Sequence, residues 1–192
     1  MPFTYADEKL EVVTDSAKLR EITNNYRSNS ERPDDFVSQS DGTVIDKRTG
    51  LQWMRCSLGL TWTGEECSGY SDGYSVEQVK LQTFAGYDDW RLPTLWELET
   101  LVYCGGGQFI SRTTKNELLK ECDGDFSEPT IVQNIFPNTE AGWYWTSTLH
   151  TDENGDKGGA VVNFSLGDDS SYPITSKFQV RLVRVPANNK QK

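Results

Sequence analysis

The residues that carry most of the fold information form one continuous stretch, Ala85-Gly86-Tyr87-Asp88-Asp89-Trp90-Arg91-Leu92-Pro93-Thr94-Leu95-Trp96-Glu97-Leu98. Thr94 and Glu97 have the spacing of a capping box, in which each side chain bonds the other residue's backbone amide, so we predict that a helix begins at Leu95. We expect Trp90 to fill the core just before this helix, because an indole buries a large apolar area. The planar guanidinium of Arg91 is expected to bridge chain segments beside the two preceding aspartates.

Upstream of this stretch, the sequence predicts another helix and a hairpin. Ser75 and Gln78 repeat the capping-box spacing. The apolar stripe of that helix and its glycine stop are predicted to be Val76, Val79, Phe84 and Gly86. Residues 43–46 and 51–54 are two short apolar runs around a turn that ends in Gly50, which predicts an antiparallel hairpin.

Downstream, the chain is predicted to be mostly β-structure. Alternating apolar residues predict strands at 143–148, 160–165 and 179–185. They are joined by turn-forming sequences at 152–156 and 167–171. Residues 105–138 are predicted to form a long loop with a helical turn at 116–120. A hairpin, two helices, a loop and antiparallel strands in this order define an α+β fold.

The first part of the chain differs from the rest, since residues 1–36 contain no glycine or cysteine. Asp15 is placed to cap a helix with apolar positions Leu19, Ile22 and Tyr26. Two interpretations stay open: an arm packed on the domain, or the stub of a longer upstream segment.

A chain of 192 residues suits one domain with appendages. We place its boundaries at 1–36 for an N-terminal arm and linker with a short helix, and at 37–186 for the folded domain. Residues 187–192 are predicted to be a disordered tail.

The four cysteines fall into two local pairs, Cys56 with Cys67 and Cys104 with Cys122. Four cysteines allow three connectivities, and we favour these two disulfides because each closes a short loop. In the chain-entropy model a loop of this size contributes about 3 kcal/mol. Zinc is the competing interpretation, but neither pair has zinc-ligand spacing and His150 is distant in sequence. Disulfides predict a secreted, periplasmic or cell-surface protein.

The formal net charge of −10 argues against a nucleic-acid partner, because phosphate binding needs clustered basic residues. No run of residues has the length and apolarity of a transmembrane helix, so membrane insertion is not expected. Residues 1–8 lack the basic and apolar segments of a signal peptide. Because the disulfides predict export, we expect Met1 to stand in place of a removed signal peptide.

Several motifs occur in a characteristic order. They are Asp41-Gly42-Thr43-Val44-Ile45-Asp46, Thr49-Gly50-Leu51-Gln52-Trp53, the stretch from Ala85 to Leu98, Phe136-Pro137, Tyr144-Trp145-Thr146-Ser147-Thr148 and Val180-Arg181-Leu182-Val183-Arg184. Together they resemble the signature of the Lcl C-terminal domain family over residues 37–186. The most specific part is the Asp-Trp-Arg-Leu-Pro-Thr string. The sequence departs from the family at Leu182, where many members carry a cysteine.

The resemblance implies a C-type-lectin-like fold, related to formylglycine-generating enzymes and retroelement variable proteins. It also implies an extracellular or envelope location and, as in the family's named adhesin, binding to sulfated polysaccharides. The acidic charge of this chain does not favour that ligand, since Lys47, Arg48 and Arg55 are too few for a basic patch.

Catalysis is not expected from the residues. A serine or cysteine nucleophile needs a neighbouring base, and the one histidine, His150, is predicted to be a solvated loop residue. An activity like that of the formylglycine-generating enzymes would need reactive cysteines, whereas all four are assigned to disulfides. A polysaccharide hydrolase stays a distant alternative, because its paired carboxylates cannot be recognised by spacing.

Calcium is the one metal that a local pattern indicates, and no other cofactor is expected. Asp152, Asn154 and Asp156 place oxygen ligands at alternate positions, as at the start of an EF-hand loop. Lys157 and Asn163 replace the glycine and glutamate that such a loop requires. A hairpin turn is therefore the favoured interpretation, with a calcium site as the alternative.

The predicted binding face consists of aromatic and acidic residues in loops. Trp62, Tyr70, Tyr74 and Trp143 lie in or beside Gly/Ser-rich segments, where a ring either fills the core or stacks on a ligand. Tyr70 and Tyr74 flank Asp72-Gly73, so both rings are placed to project from one loop tip. The remaining candidates, near the C-terminal strands, are Asp168, Asp169, Tyr172 and the 152–156 turn.

The sequence leaves two functions open, one based on this face and one on the N-terminal arm. The first is an adhesin-like module that binds a glycan or a surface protein. The second is a structural subunit of a surface assembly that docks through residues 1–36.

Overall fold

The computed structural model describes residues 11–26, 33–79, 83–113 and 118–186. Within them it contains helices α1, Ser16–Tyr26, and α2, Leu95–Glu99, and 3-10 turns at Pro33–Asp35 and Val76–Gln78. The strands are β1 Phe36–Ser38, β2 Thr43–Asp46, β3 Gln52–Met54, β4 Thr61–Trp62, β5 Cys67–Ser68, β6 Gln108–Thr113, β7 Leu118–Asp123, β8 Trp143–Thr151, β9 Lys157–Asn163, β10 Asp169–Pro173 and β11 Val183–Arg184. The predicted α+β class is confirmed. No helix in these ranges is long and apolar enough to cross a membrane.

Two antiparallel sheets form the centre of the fold. The first has the strand order β1-β2-β3-β11 and contains the predicted hairpin, with Val44 opposite Trp53. The second has the order β10-β9-β8. Two-stranded pairs, β4-β5 and β6-β7, extend from this centre. The side chains between these layers form two apolar clusters, one around Trp53 and Tyr144 and one around Trp90 and Trp145.

The long loop predicted over 105–138 is wrong in part, because it contains the β6-β7 hairpin. Residues 118–120 lie in β7 rather than in a helical turn, and 116–117 fall outside the described residues. The turn predicted at 167–171 ends early, since β10 begins at Asp169. In each case a polar sequence that predicts a loop or turn forms a strand instead, because it pairs with a neighbouring strand.

The helix predicted from Ser75 to Gly86 is also wrong. Its capping residues do interact, because Gln78 Oε1 accepts a hydrogen bond from the Ser75 amide at 2.9 Å, but only a 3-10 turn forms. The backbone becomes extended at Val79. Gly86 is not a helix stop: it follows Ala85 in a two-residue reverse turn, and both residues have positive φ. That turn brings Phe84 and Tyr87 into mutual backbone hydrogen bonds.

The second predicted capping box is confirmed. Thr94 Oγ1 accepts from the Glu97 amide at 3.3 Å, and Glu97 Oε2 accepts from the Thr94 amide at 2.7 Å. The helix that follows, α2, contacts β8 and β9. Trp90 is 1% exposed, as predicted, and its Nε1 donates to the Phe84 carbonyl at 3.1 Å.

Arg91 does not bridge to the preceding aspartates. Its guanidinium makes a two-point ion pair with Glu97, with N–O distances of 2.7 and 2.8 Å. This hydrogen bonding raises the pKa of Arg91. Asp89 pairs instead with Arg184 in β11, at 2.6 Å.

Both local disulfides are present. Cys56 is bonded to Cys67 and Cys104 to Cys122, as predicted, and no cysteine in the chain is free. Disulfides of this kind are typical of proteins that fold in an oxidising compartment. Cys104 and Cys122 belong to the first apolar cluster, so their disulfide holds the base of the β6-β7 hairpin against it.

Helix α1 packs on the domain. Asp15 caps it as predicted, accepting from the Lys18 amide at 2.9 Å. Leu19 and Thr23 are 1% and 2% exposed, and the Arg20 guanidinium lies 4.0 Å from the ring centre of Trp96 on α2. Residues 11–26 therefore form a packed arm. Most of the predicted linker, 28–32, and the predicted tail, 187–192, lie outside the described residues.

Arg181 has the largest fully buried charged side chain among the described residues and is 0% exposed. Its guanidinium donates to the carbonyls of Met54 and Arg55 and, at 2.7 Å, to the Thr139 hydroxyl. Burial lowers the pKa of Arg181 to about 10, which leaves the group charged at neutral pH. Within the described ranges, no carboxylate lies at ion-pair distance from the Arg181 guanidinium. The charge is stabilised instead by these hydrogen bonds and by the Phe136 ring, whose centre lies 4.9 Å from the guanidinium carbon.

We predict that Arg181→Leu lowers the free energy of unfolding by about 3 kcal/mol, because several buried acceptors lose their donor at once. Arg181→Lys should lower the free energy of unfolding by less than Arg181→Leu does. An ammonium group keeps the charge and can still donate hydrogen bonds, although it lacks the planar guanidinium fork. The measurement is urea denaturation followed by tryptophan fluorescence. Lys157→Leu, at an exposed position of β9, is the control. Equal stability of the two leucine variants would contradict the prediction.

We predict that Leu19→Ala destabilises the whole domain by about 2–5 kcal/mol, because it opens a cavity under α1. Lys18→Ala on the exposed side of the same helix should change stability little. Both variants are compared by urea denaturation. A separate early transition for α1 in the Leu19→Ala variant, with the main transition unmoved, would show that the arm is not an integral part of the domain.

Candidate functional site

An open pocket of about 520 Å³ lies between the loop after β5 and the segment before β11. Its lining residues are Tyr70, Ser71, Asp72, Gly73, Tyr74, Gln78 and Lys177. Tyr70 and Tyr74, two of the predicted ligand-binding residues, thus meet in one pocket. Both tyrosines lie in one loop, but only the Tyr70 ring projects from it, because Tyr74 packs against the second apolar cluster. That they bind a ligand stays a prediction.

Backbone hydrogen bonds tie the pocket loop to Phe178. Tyr74 and Phe178 exchange two backbone hydrogen bonds, at 2.8 and 3.1 Å, across an isolated antiparallel bridge. Gly73 has φ +74°, and a Cβ there would lie 3.0 Å from the Phe178 carbonyl oxygen. Glycine is therefore required at this position for the loop to approach Phe178.

The loop is also tied to the core and to a neighbouring segment. Trp145, which is 0% exposed, donates from Nε1 to the Tyr74 carbonyl at 2.8 Å. The Gln179 amide donates to the Ser71 carbonyl at 3.3 Å and to the Glu140 carboxylate at 2.8 Å. These bonds fix the backbone of the pocket while leaving the tips of its polar side chains in water.

The two tyrosines play different parts. Tyr74 is half-buried, and its hydroxyl lies so close to Gly59 that a Cβ there would be 2.8 Å away. Tyr70 is 76% exposed and is the most exposed of the large apolar side chains described. A hydrogen bond to Asp72 is the main cause that raises the pKa of Tyr70. Tyr74 therefore forms a wall, whereas the Tyr70 ring is available for contact.

A run of aromatic rings begins at Phe178, beside the pocket loop. Phe178 contacts Tyr172 with ring centres 4.9 Å apart, and Tyr172 contacts Trp143 at 5.3 Å. Phe178 also packs on Trp145 at 5.2 Å. Trp143 and Tyr172, both predicted ligand residues, are half-buried and do not line the pocket. Tyr172 contacts Phe178, and the Trp143 carbonyl accepts from the Gln179 amide at 3.0 Å.

Trp62 lies elsewhere and has a packing role. Its indole covers Gly42, where a Cβ would be 2.7 Å from the ring, and the Arg55 guanidinium stacks on it at 4.2 Å. Arg55 in turn donates to the Ile135 carbonyl at 2.8 Å. Trp62 thus follows the alternative stated for loop aromatics, which is to fill space within the fold.

Asp168 and Asp169 do not line the pocket. Asp169 is exposed in β10 opposite Val162. Asp168 lies in the connection between β9 and β10, and its carbonyl accepts from the Asn163 amide at 2.8 Å. Partial burial raises the pKa of Asp168, and its Oδ1 is buried with no hydrogen-bond partner.

The 152–156 segment is the turn of the β8-β9 hairpin. Asp152 Oδ1 accepts from the backbone amides of Asn154 and Asp156, both at 2.9 Å, so its carboxylate stabilises the turn itself. The favoured hairpin interpretation is confirmed. The described residues contain no group of three or more acidic, histidine or cysteine side chains that could hold a metal ion. The calcium alternative stays a prediction.

His150 is exposed as predicted but lies in β8 rather than in a loop. Its ring crosses Gly158, where a Cβ would be 2.5 Å away, and its Nε2 lies 3.2 Å from the Ser171 hydroxyl. The pair stands on an open sheet surface, away from the lining of the pocket.

Sequence reasoning missed Gln78, Lys177, Glu140 and Gln179. Gln78 was assigned to a helix cap, a role that it keeps while also lining the pocket. Lys177 lies far along the chain from residues 70–78. No local pattern predicts that the two segments meet through the Tyr74–Phe178 bridge.

The structure is that of a disulfide-bonded α+β domain. It combines two local disulfides with small antiparallel sheets, short helices and a pocket carried by a loop. Residues 42–184 match the model of the Lcl C-terminal domain. The match spans most of the chain, so the protein belongs to the Lcl C-terminal domain family. Helix α1 precedes the matched region. No curated protein and no solved structure matches the chain significantly.

We predict that Asp168→Asn stabilises the domain near neutral pH. Because the folded state raises the pKa of Asp168, its carboxyl favours folding below its unfolded-state pKa, and this contribution is lost as the pH rises through the folded-state pKa. The gain of the variant should therefore vanish in acid. Urea denaturation at several pH values measures it, with exposed Asp169→Asn as the control. A variant no more stable than wild type at neutral pH would contradict the assignment.

Proposed function

We propose that this protein is an extracellular or envelope binding module that recognises carbohydrate through the Tyr70–Tyr74 pocket. The observation that carries the proposal is the Tyr70 ring, 76% exposed at the edge of a pocket lined by carboxylate, amide and ammonium side chains. The module would serve an adhesin-like role in a secreted, periplasmic or cell-surface protein.

The chemistry of the pocket suits a sugar. A pyranose ring presents apolar C–H groups on its faces and hydroxyl groups around its edge. An exposed aromatic ring offers apolar contact at low entropic cost, and a few placed polar groups orient the ligand. Tyr70 supplies the ring, and Asp72, Gln78 and Lys177 supply acceptors and donors.

The scaffold supports the same proposal. We propose that the small antiparallel sheets, the two helices and the long loops represent a C-type-lectin-like fold, as the family membership implies. In such a scaffold the loops bind ligands while the sheets and disulfides hold them in place. The two disulfides favour an oxidising location.

Binding without turnover is part of the proposal. Among the lining residues, the candidate nucleophile is Ser71, whose Oγ accepts a hydrogen bond from the Gly73 amide at 3.2 Å. The residue is 8% exposed, and its neighbours in the lining include no histidine to act as its base. The pocket therefore offers contacts rather than an activated group.

The alternative of docking through residues 1–36 is less well supported. The buried face of α1, with Leu19 and Thr23, is already occupied by contact with the domain. Within the described part of the helical arm, residues 11–26, a partner would have to use the exposed side.

We predict that Tyr70→Ala weakens glycan binding about tenfold, because the stacking surface is lost. Tyr70→Phe should keep most of the affinity, since the ring stays. A glycan array identifies the ligand, and calorimetry measures the dissociation constants. Leu149→Ala, at another exposed apolar residue, is the matched control.

Binding should persist in a chelator, because the 152–156 turn does not line the pocket. The proposal fails if the wild-type protein binds no glycan, or if Tyr70→Ala and Leu149→Ala bind equally well.

A further inference from the structure

The charges around the pocket are unequal. Its lining contains one carboxylate, Asp72, and one ammonium group, Lys177. A second carboxylate, Glu140, stands at its border, because the Gln179 amide nitrogen that bonds Glu140 at 2.8 Å also bonds the Ser71 carbonyl at 3.3 Å. The two carboxylates therefore outnumber the one cation at the mouth of the pocket.

Both carboxylates act on the exposed ring. Both carboxylates contribute to the raised pKa of Tyr70, Asp72 through hydrogen bonding and its charge and Glu140 through its charge. The surface on which a sugar would stack thus lies in a negative potential. Asp72 and Glu140 are exposed, so their oxygens can also reach a ligand.

A ligand's own charge decides how it fits this surface. A sulfate or uronate group on the sugar would face two carboxylates at close range, which is unfavourable. A protonated amino group on the sugar would donate charge-assisted hydrogen bonds to the same oxygens. Lys177 offsets only part of the negative charge.

We infer that the Tyr70–Tyr74 pocket selects glycans with free amino groups, of the glucosamine type, over N-acetylated and sulfated glycans. This inference rests on the proposed function and names the ligand class of the same site. Asp72 and Glu140 are its specificity-determining residues, and Tyr70 supplies affinity for the sugar ring.

The test compares three probes: a glucosamine hexamer, the N-acetylglucosamine hexamer and a heparin hexasaccharide. Calorimetry at about pH 5.5 keeps amino groups protonated and carboxylates mostly ionised. The glucosamine hexamer should bind about fivefold more tightly than its acetylated counterpart, as expected of two exposed ion pairs. The preference should shrink as salt is added.

Two double variants with the same net charge separate local from global electrostatics. Asp72→Asn with Glu140→Gln removes the two carboxylates but keeps groups that can accept the same hydrogen bonds. Glu21→Gln with Glu153→Gln removes two exposed carboxylates outside the pocket lining. Either pair changes the formal charge from −10 to −8. The first pair should abolish the preference for the amine, and the second should retain it.

The outcomes are distinguishable. If the wild-type protein binds none of the three probes, both the proposed function and this inference fail. If it binds the acetylated or the heparin probe most tightly, the pocket is a glycan site but the inference is wrong. Equal loss of preference in the two double variants would also overturn it, because the effect would then come from overall charge.

Discussion

The buried guanidinium of Arg181 links the end of β3 to Thr139, two segments that are not paired with each other as strands. It bonds the carbonyls at the end of β3, next to the Cys56–Cys67 disulfide, and the Thr139 hydroxyl beside Glu140. A buried charge is tolerated only where hydrogen bonds compensate for lost water. Each of these segments must therefore keep its position for the buried guanidinium to stay hydrogen-bonded. The same residue lies two positions after Gln179, whose amide links Glu140 to the pocket loop. Core and pocket thus depend on one short segment before β11.

The parts of the fold that could be predicted are those with local causes. The capping box at Thr94 and Glu97 forms as the spacing requires, because both bonds lie within one turn. The two disulfides close the shortest available loops. The β2-β3 hairpin follows from apolar runs around a glycine turn. Even α1 has its cap at Asp15, although only the structure shows that it packs on α2.

The parts that could not be predicted depend on distant partners. The capping box at Ser75 resembles that at Thr94, yet its helix stops after one turn, where the backbone becomes extended at Val79. The Val76 amide bonds the distant Ile174 carbonyl. The candidate site shows the same limit. Two tyrosines around Asp72-Gly73 could be recognised as a loop tip, whereas Lys177 and Glu140 reach the pocket through bridges across the fold. Isolated motifs give no information on such contacts.

In the loop from Tyr70 to Tyr74, some residues face the solvent and others contact the rest of the fold. Tyr70 and Asp72 extend into water, while Ser71 and Gly73 meet the Gln179 and Phe178 segments and Tyr74 anchors Trp145. Side chains at the outward positions make few contacts that folding needs. Under the proposed function, their replacement would change which glycan the pocket prefers and leave the scaffold intact. A new binding preference would then require the exchange of only a handful of exposed residues, without compensating changes in the interior.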